Sequence, residues 1–259
     1  IATGTINSNY GTYAVFPSVA FNGTDYLVVW VDDNESPINA IEIYAARITT
    51  NNIVLDSPPK QVTTDSGAAM RPTAIAFDGT NYLVAWRQGR AVRVSTSGAA
   101  MDDPSGFATG SLFYPWISFN GNNYLLAWYG GDAAGMDIWG QHVSTEGAIL
   151  DGSDFRISNV SGDENHPSLS YDGTNFFAAW GHWPGIENSG DGTVYGARIS
   201  SNAVVLDALG IKISDHFLGG GPPGVIFDGT NYLVIWMEDY YDGANPLPAD
   251  YPNPAGCGP

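Results

Sequence analysis

The chain has 259 residues, with 27 acidic and 9 basic side chains and a formal net charge of −18. A surface this acidic repels phosphate backbones, which excludes nucleic acid from the expected partners. No apolar run reaches the roughly 20 residues that a membrane-spanning helix needs, and a single cysteine, Cys257, allows no disulfide within the chain.

The first predicted element is a short strand within residues 1–8. Its segment Thr5–Ser8 resembles segments that precede the later repeats, such as Gln61–Thr64 and Lys212–Asp215. Because those segments end an outer strand, we expect residues 1–8 to supply an outer strand as well.

A ten-residue phrase, FNGTDYLVVW in its first copy, then occurs five times. Self-similarity at this spacing is typical of a β-propeller with one four-stranded blade per repeat. Each copy runs from an aromatic residue to a tryptophan: Phe21–Trp30, Phe77–Trp86, Phe119–Trp128, Tyr171–Trp180 and Phe227–Trp236.

Each copy of the phrase predicts a β-hairpin, because its Asn-Gly or Asp-Gly pair favours a tight turn. After the turn, alternation puts Tyr26, Val28 and Trp30 on one face of the second strand. Leu27 and Val29 lie on the other face, and two apolar faces predict burial between two other sheets. The first strand is expected to open on a proline, where no ladder donor is needed: Pro17, Pro72, Pro115, Pro167 and Pro223.

A third strand is predicted at residues 43–48, 90–94, 138–143 and 194–199, where a second phrase recurs. A basic residue in this phrase precedes an aspartate by nine positions. A two-residue turn between them would set the two directly opposite each other on antiparallel strands. We expect structural pairs and no catalysis, because the pattern repeats in four blades: Arg47–Asp56, Arg93–Asp102, His142–Asp151 and Arg198–Asp207.

The predicted fold is an all-β, five-bladed β-propeller of four-stranded antiparallel blades over residues 1–240. The fifth repeat has only its first two strands, so the N-terminal strand or another chain is expected to complete it. Residues 241–259, rich in proline and glycine, are predicted to be a tail or linker. The blades are expected at 16–65, 72–111, 115–159, 167–215, and 222–240 together with 1–8.

The motif F-[DN]-G-T-N-Y-L-V-x-W, followed by I-Y-x-x-R-[IV], resembles repeats in secreted and cell-surface proteins of bacteria. The resemblance covers residues 5–236 and implies a propeller on an exported protein. It implies no activity. The sequence departs from WD40 repeats, which carry Gly-His and Trp-Asp pairs, from kelch repeats and from the Asp boxes of sialidases.

Function is expected where the repeats differ, in the connections between second and third strands at 31–42, 87–90, 129–137, 181–193 and 237–259. Their aromatic and carboxylate side chains suit a sugar, or Ca²⁺, which prefers oxygen ligands. No residue is assigned a catalytic role and no metal site is fixed. The candidate ligand-binding residues are Asp32, Asp33, Glu35, Asp132, Asp137, His182, Trp183, Glu187, Asp191, Glu238, Asp239, Tyr240 and Tyr241.

These features favour a non-enzymatic binding or structural module, extracellular or on the cell surface, with a glycan or a protein as its partner at the variable loops. A first alternative is a polysaccharide-active enzyme, a glycosidase or lyase that uses loop carboxylates. A second is a subunit of a surface filament or assembly, joined through the incomplete last blade or the tail.

Overall fold

The structure is a computed structural model that describes residues 14–32, 42–64, 70–110, 113–132, 135–185, 192–215 and 223–237. Regular structure in these ranges consists of strands, and no helix in them could cross a membrane. The strands are β1 (Ala14–Phe21), β2 (Asp25–Asp32), β3 (Glu42–Thr49), β4 (Lys60–Gln61), β5 (Met70–Phe77), β6 (Asn81–Arg87), β7 (Arg90–Ser95), β8 (Phe107–Ala108), β9 (Phe113–Phe119), β10 (Asn123–Asp132), β11 (Gly135–Ser144), β12 (Phe155–Arg156), β13 (Asp163–Tyr171), β14 (Asn175–Trp183), β15 (Thr193–Ser200), β16 (Ile211–Lys212), β17 (Gly224–Phe227) and β18 (Tyr232–Ile235).

The strands form five antiparallel sheets, one for each repeat: β1–β4, β5–β8, β9–β12, β13–β16 and β17–β18. We number them blades 1 to 5. The first strands of neighbouring blades contact one another, so β1, β5, β9, β13 and β17 line a common axis. This arrangement confirms the predicted β-propeller. The expected completion of blade 5 by residues 1–8, and the tail at 241–259, lie outside the described residues.

Large apolar side chains fill the spaces between neighbouring blades. Trp86, Trp128 and Trp180, which end the repeated phrase, are at most 2% exposed. At the first boundary, Leu27 and Val29 of blade 1 pack on side chains of blade 2 that include Tyr82 and Trp86. In blades 2 to 4 both faces of the second strand are buried, as its two-sided apolar pattern predicts.

The turn between first and second strands is held by its own first residue. In blade 1, Asn22 Oδ1 accepts the N–H groups of Thr24 at 2.8 Å and Asp25 at 2.7 Å. Asp78, Asn120, Asp172 and Asp228 do the same in the other blades. Such side-chain-to-backbone bonds fix a tight turn and explain why only Asn or Asp occurs there.

The prolines of blades 1 to 4 lie inside the first strand, which corrects the expectation that they open it. In blade 1 the strand begins at Ala14, before Pro17, and its register shifts between Val15 and Ser18. Such an irregularity is a β-bulge, where a residue is left out of the ladder, so the missing N–H of proline interrupts no hydrogen bond.

The turn between third and outer strands has three residues, which corrects the expected two-residue turn. Ile48 lies opposite Val54, so Arg47 is opposite Leu55 and not Asp56. Asn52 has φ 65°, the left-handed conformation that closes a three-residue turn.

All four expected pairs form in this register, because each aspartate reaches back to the basic residue. The distances are 2.8 Å for Arg47 Nε–Asp56, 2.6 Å for Arg93 Nη2–Asp102, 3.1 Å for His142 Nδ1–Asp151 and 2.8 Å for Arg198 Nη2–Asp207. Each carboxylate also accepts the backbone N–H of its partner.

Three predicted loops are shorter than expected, because the second and third strands continue to pair. Asp132 lies opposite Gly135, and His182 lies opposite Thr193. The connection at 87–90 reduces to the turn residues Gln88 and Gly89, with φ 93° and 72°. Consequently Asp132, Asp137, His182 and Trp183 lie on strands and not on loops.

Candidate functional site

The first strands begin, and the second strands end, at one end of the propeller, which we call the loop face. Residues directly before the strand prolines adopt positive φ there: 54° at Phe16, 50° at Tyr114 and 53° at His166. Bulky residues avoid this region, and those before proline favour extended backbone. Such strain is found mainly at binding and catalytic sites, which directs attention to the loop face.

An aromatic cluster occupies the loop face at blades 3 and 4. The ring of Tyr114 lies 4.7 Å from His166, edge to face, and 5.6 Å from Tyr129, stacked. Phe113 adds a contact with Tyr129 at 5.7 Å, and the guanidinium of Arg87 lies 4.6 Å above the Phe113 ring. We call Phe113, Tyr114, Tyr129 and His166 the aromatic cluster. Partly exposed rings of this kind can stack on an apolar ligand surface.

An acidic network lies in the same two blades, where its member Glu164 shares β13 with His166 of the cluster. Glu164 is fully buried on β13, and its Oε1 lies 2.8 Å from Nδ1 of His182 on β14. Its Oε2 accepts the hydroxyl of Ser158 at 3.2 Å. The carboxyl group of Asp137 also interacts with Glu164, and Arg156 pairs with Asp137. We call these five residues the acidic network.

Burial raises the pKa of Glu164, and the neighbouring Asp137 raises it further, although His182 opposes both effects. Two carboxyl groups in contact disfavour simultaneous ionisation. The network therefore tends to hold a proton on Glu164 at a pH where an exposed glutamate is ionised. Burial also lowers the pKa of His166 in the aromatic cluster, so its ring stays neutral at neutral pH.

One member of the network has an ordinary structural role. Ser158 Oγ accepts the N–H of Ile138 at 2.8 Å, and Thr63 and Ser214 receive the N–H groups of Ile43 and Val194 in the same way. A hydroxyl group at this position therefore links the outer strand to the third strand in blades 1, 3 and 4. Thr63 also donates its hydroxyl to a buried carboxyl group, that of Glu42 at the position matching Asp137. The positions of blade 1 that match Glu164 and His182 are Ala14 and Asp32.

Two of the residues expected to bind a ligand belong to the network, namely Asp137 and His182. Trp183 is buried on the other face of β14, where it packs with Val194 against blade 5. The backbone of Asp32 and Asp132 lies on strands, but their side chains lie outside the description. Also outside it are Asp33, Glu35, Glu187, Asp191, Glu238, Asp239, Tyr240 and Tyr241.

Glu164, Tyr114 and His166 escaped the sequence analysis, which placed function in the connecting loops. Tyr129 lies in one of these predicted loops, 129–137, but was not among the candidates. The segment Glu164-Asn165-His166 directly before Pro167 carried a usable signal, because the equivalent segments are mostly apolar. Within the described ranges, no three His, Cys, Asp or Glu side chains come together as a metal site. The calcium expectation for Glu187 and Asp191 stays a prediction.

Neither a family model nor a curated protein matches the chain. Among solved structures, an α-L-arabinanase of Penicillium chrysogenum complexed with arabinobiose matches with a TM-score of 0.55 and 10% identity, over 83% of this chain and 76% of the arabinanase. A thermostable family-43 glycoside hydrolase matches with a TM-score of 0.51 and 13% identity, over 92% of this chain and 88% of the hydrolase.

A subtype N10 neuraminidase-like protein of A/little yellow-shouldered bat/Guatemala/060/2010 matches with a TM-score of 0.50 and 10% identity. That match covers 80% of this chain and 60% of the neuraminidase-like protein. The resemblance to bacterial surface repeats stays a prediction. At such low identities the likeness concerns the fold, and the chain shares the β-propeller fold of glycoside hydrolases and neuraminidase-like proteins.

Proposed function

We propose that the protein is a polysaccharide-active enzyme that hydrolyses glycosidic bonds at the loop face of blades 3 and 4, outside the cytoplasm. One observation carries this proposal. A buried carboxyl group with a raised pKa, Glu164, contacts a second carboxyl group, Asp137, beside the aromatic cluster. Such a pair can hold a proton beside rings on which a sugar can stack.

Glycoside hydrolysis uses two carboxyl groups in different protonation states, one as acid and one as base or nucleophile. Burial favours the protonated form of Glu164. The guanidinium of Arg156 pairs with the carboxyl group of Asp137, whose side chain is 16% exposed. In this proposal Asp137 faces the substrate and Glu164 lies behind it. The proton of Glu164 passes through Asp137 to the leaving oxygen, and the attacking water returns one proton to this pair.

The aromatic cluster supplies the binding surface. The C–H face of a sugar ring packs on aromatic rings, and Tyr114 and Tyr129 stack 5.6 Å apart at the loop face. The propeller fold that the chain shares with an arabinanase and a family-43 glycoside hydrolase agrees with a carbohydrate polymer as substrate.

The proposal is tested by release of reducing ends from a panel of plant and bacterial polysaccharides. Asp137→Asn and Glu164→Gln are each expected to lower the rate by roughly 100-fold or more, because each removes an acid–base group. Glu146→Gln, an exposed carboxyl on a turn at the opposite end, is the matched control and should leave the rate unchanged.

Circular dichroism of each variant separates loss of the fold from loss of chemistry. The rate should fall as the pH rises through the raised pKa of Glu164, because the acid then loses its proton. Turnover of no polysaccharide by the wild-type protein, or full activity of the correctly folded Asp137→Asn variant, would overturn the proposal.

A second function, glycan binding without hydrolysis, is favoured by a specific observation. Glu164 has no exposed surface and Asp137 is engaged by Arg156, so both carboxyl groups already have protein partners. Under this function a polysaccharide binds and no reducing ends appear. Tyr114→Ala should then weaken binding in affinity electrophoresis, while Glu164→Gln should leave binding unchanged.

A further inference from the structure

Each blade presents two different apolar faces to its neighbours. We call the face that carries Tyr82 and Trp86 in blade 2 the leading face, and the face that carries Leu27 and Val29 in blade 1 the trailing face. The trailing face of each blade packs on the leading face of the next blade along the chain. All four boundaries in the structure are built in this way.

The leading face of blade 1 and the trailing face of blade 5 are exposed. Tyr26 is 40% exposed and Val19 58%, whereas Tyr82 and Tyr124, which match Tyr26, are at most 1% exposed. On blade 5, Leu233 is 57% and Ile235 63% exposed, although the leucines matching Leu233 in blades 1 to 3 are fully buried. Exposed apolar patches of this extent mark interaction surfaces.

The four described boundaries show which surface fits each of these faces. At the second boundary the hydroxyl of Tyr124 donates to the carbonyl of Asn81 at 3.4 Å, and at the fourth Tyr232 donates to Asn175 at 3.1 Å. Blade 1 offers the equivalent tyrosine, Tyr26, and Phe21 packs on it at 4.8 Å as Phe77 does on Tyr82. Blade 5 offers the equivalent acceptor, the carbonyl of Asn231.

We propose that the trailing face of blade 5 docks on the leading face of blade 1 of a second copy of the chain. Every described boundary between neighbouring blades joins one trailing face to one leading face. Each copy of the chain carries one exposed face of each kind. Within one molecule the two faces do not cover each other in the described residues, as the exposure of Val19 and Ile235 shows. The contact is head to tail, so it extends to further copies or closes into a ring.

The test pairs two single variants, Val19→Lys on the leading face and Ile235→Lys on the trailing face. Wild-type mass by light scattering should rise with concentration in about 0.3 M NaCl, which screens the repulsion of acidic chains. Either lysine should weaken self-association by roughly 100-fold, because it buries a charge at the contact. Leu209→Lys, at an apolar side chain that is 78% exposed outside both faces, should change nothing.

Mixing the two variants gives the decisive readout. Val19→Lys keeps an intact trailing face and Ile235→Lys keeps an intact leading face, so the mixture should form a complex of two chains and no larger species. A wild-type chain that is monomeric at every concentration would overturn the proposal. If both variants then also melt at lower temperature, the two faces meet within one molecule instead.

Discussion

At the scale of single residues, the Arg–Asp pairs of different blades are buried to different extents. The side chain of Asp56 is 4% exposed, whereas that of Asp207 is 16% exposed and its partner Arg198 is 49% exposed. Ion pairs at the surface contribute little because water and salt screen them, while breaking a buried pair leaves a charge without compensation. The pair in blade 1 should therefore matter most for stability.

Asp56→Asn tests this expectation through pH. Its hydrogen bond from Arg47 lowers the pKa of Asp56 from 3.8 to about 2. A carboxyl group whose pKa is lowered on folding stabilises the fold at pH values above its pKa in the unfolded chain. This stabilisation disappears as the pH falls through its pKa in the folded protein. By linkage the variant should lose about 2 kcal/mol of unfolding free energy at pH 7. Urea titrations should show this deficit shrinking between pH 4 and pH 2, and a deficit independent of pH would contradict the assignment.

At the scale of elements, a tyrosine on the second strand ties blades 3 and 5 to the turn of the preceding blade. Tyr124 donates to the carbonyl of Asn81 at 3.4 Å, and Tyr232 donates to that of Asn175 at 3.1 Å. Blade 4 carries Phe176 at this position, which is fully buried and faces blade 3. Asn120 begins the turn of blade 3 as Asn22 does in blade 1.

Phe176→Tyr should therefore add the bond that blade 4 lacks. The new hydroxyl would reach the carbonyl of Asn123, which Asn120 holds in place, as Tyr124 reaches that of Asn81. A hydrogen bond of this kind contributes about 1 kcal/mol. Thermal unfolding should show a higher melting temperature for the variant. The gain should shrink in an Asn120→Gly background, and a destabilised Phe176→Tyr protein would show that blades 3 and 4 pack differently from the other blades.

The elements also show what the sequence can and cannot predict. The blades, their two-sided burial and the pairing of Arg47 with Asp56 were predictable, because each pattern recurs and repetition reports a shared environment. The three-residue turn at Asn52 and the bulge at Pro17 were not, since both depend on which backbone groups stay outside the ladder. Glu164 was not predicted either, because its signal is a departure from the repeat and not a recurring pattern.

At the scale of the whole molecule, the net charge of −18 opposes compaction. Like charges spread over a folded surface repel one another, and salt screens this repulsion within about 10 Å at 0.1 M ionic strength. Melting temperature should therefore rise between low and moderate concentrations of NaCl. Potassium chloride at equal ionic strength should give the same rise, and a fall or no change would show that ion pairs outweigh the excess acidity.

The pre-proline bulge at Phe16, Tyr114 and His166 has a consequence for how this scaffold can diversify. Three unlike side chains adopt nearly the same φ, between 50° and 54°, so the surrounding strands determine the backbone there whatever the residue. A substitution at these positions should alter the chemistry at the axis and leave the blades unchanged. If the loop face binds a glycan as proposed, selection or engineering can change its ligand preference through a few side chains, without inserting loops or redesigning the core.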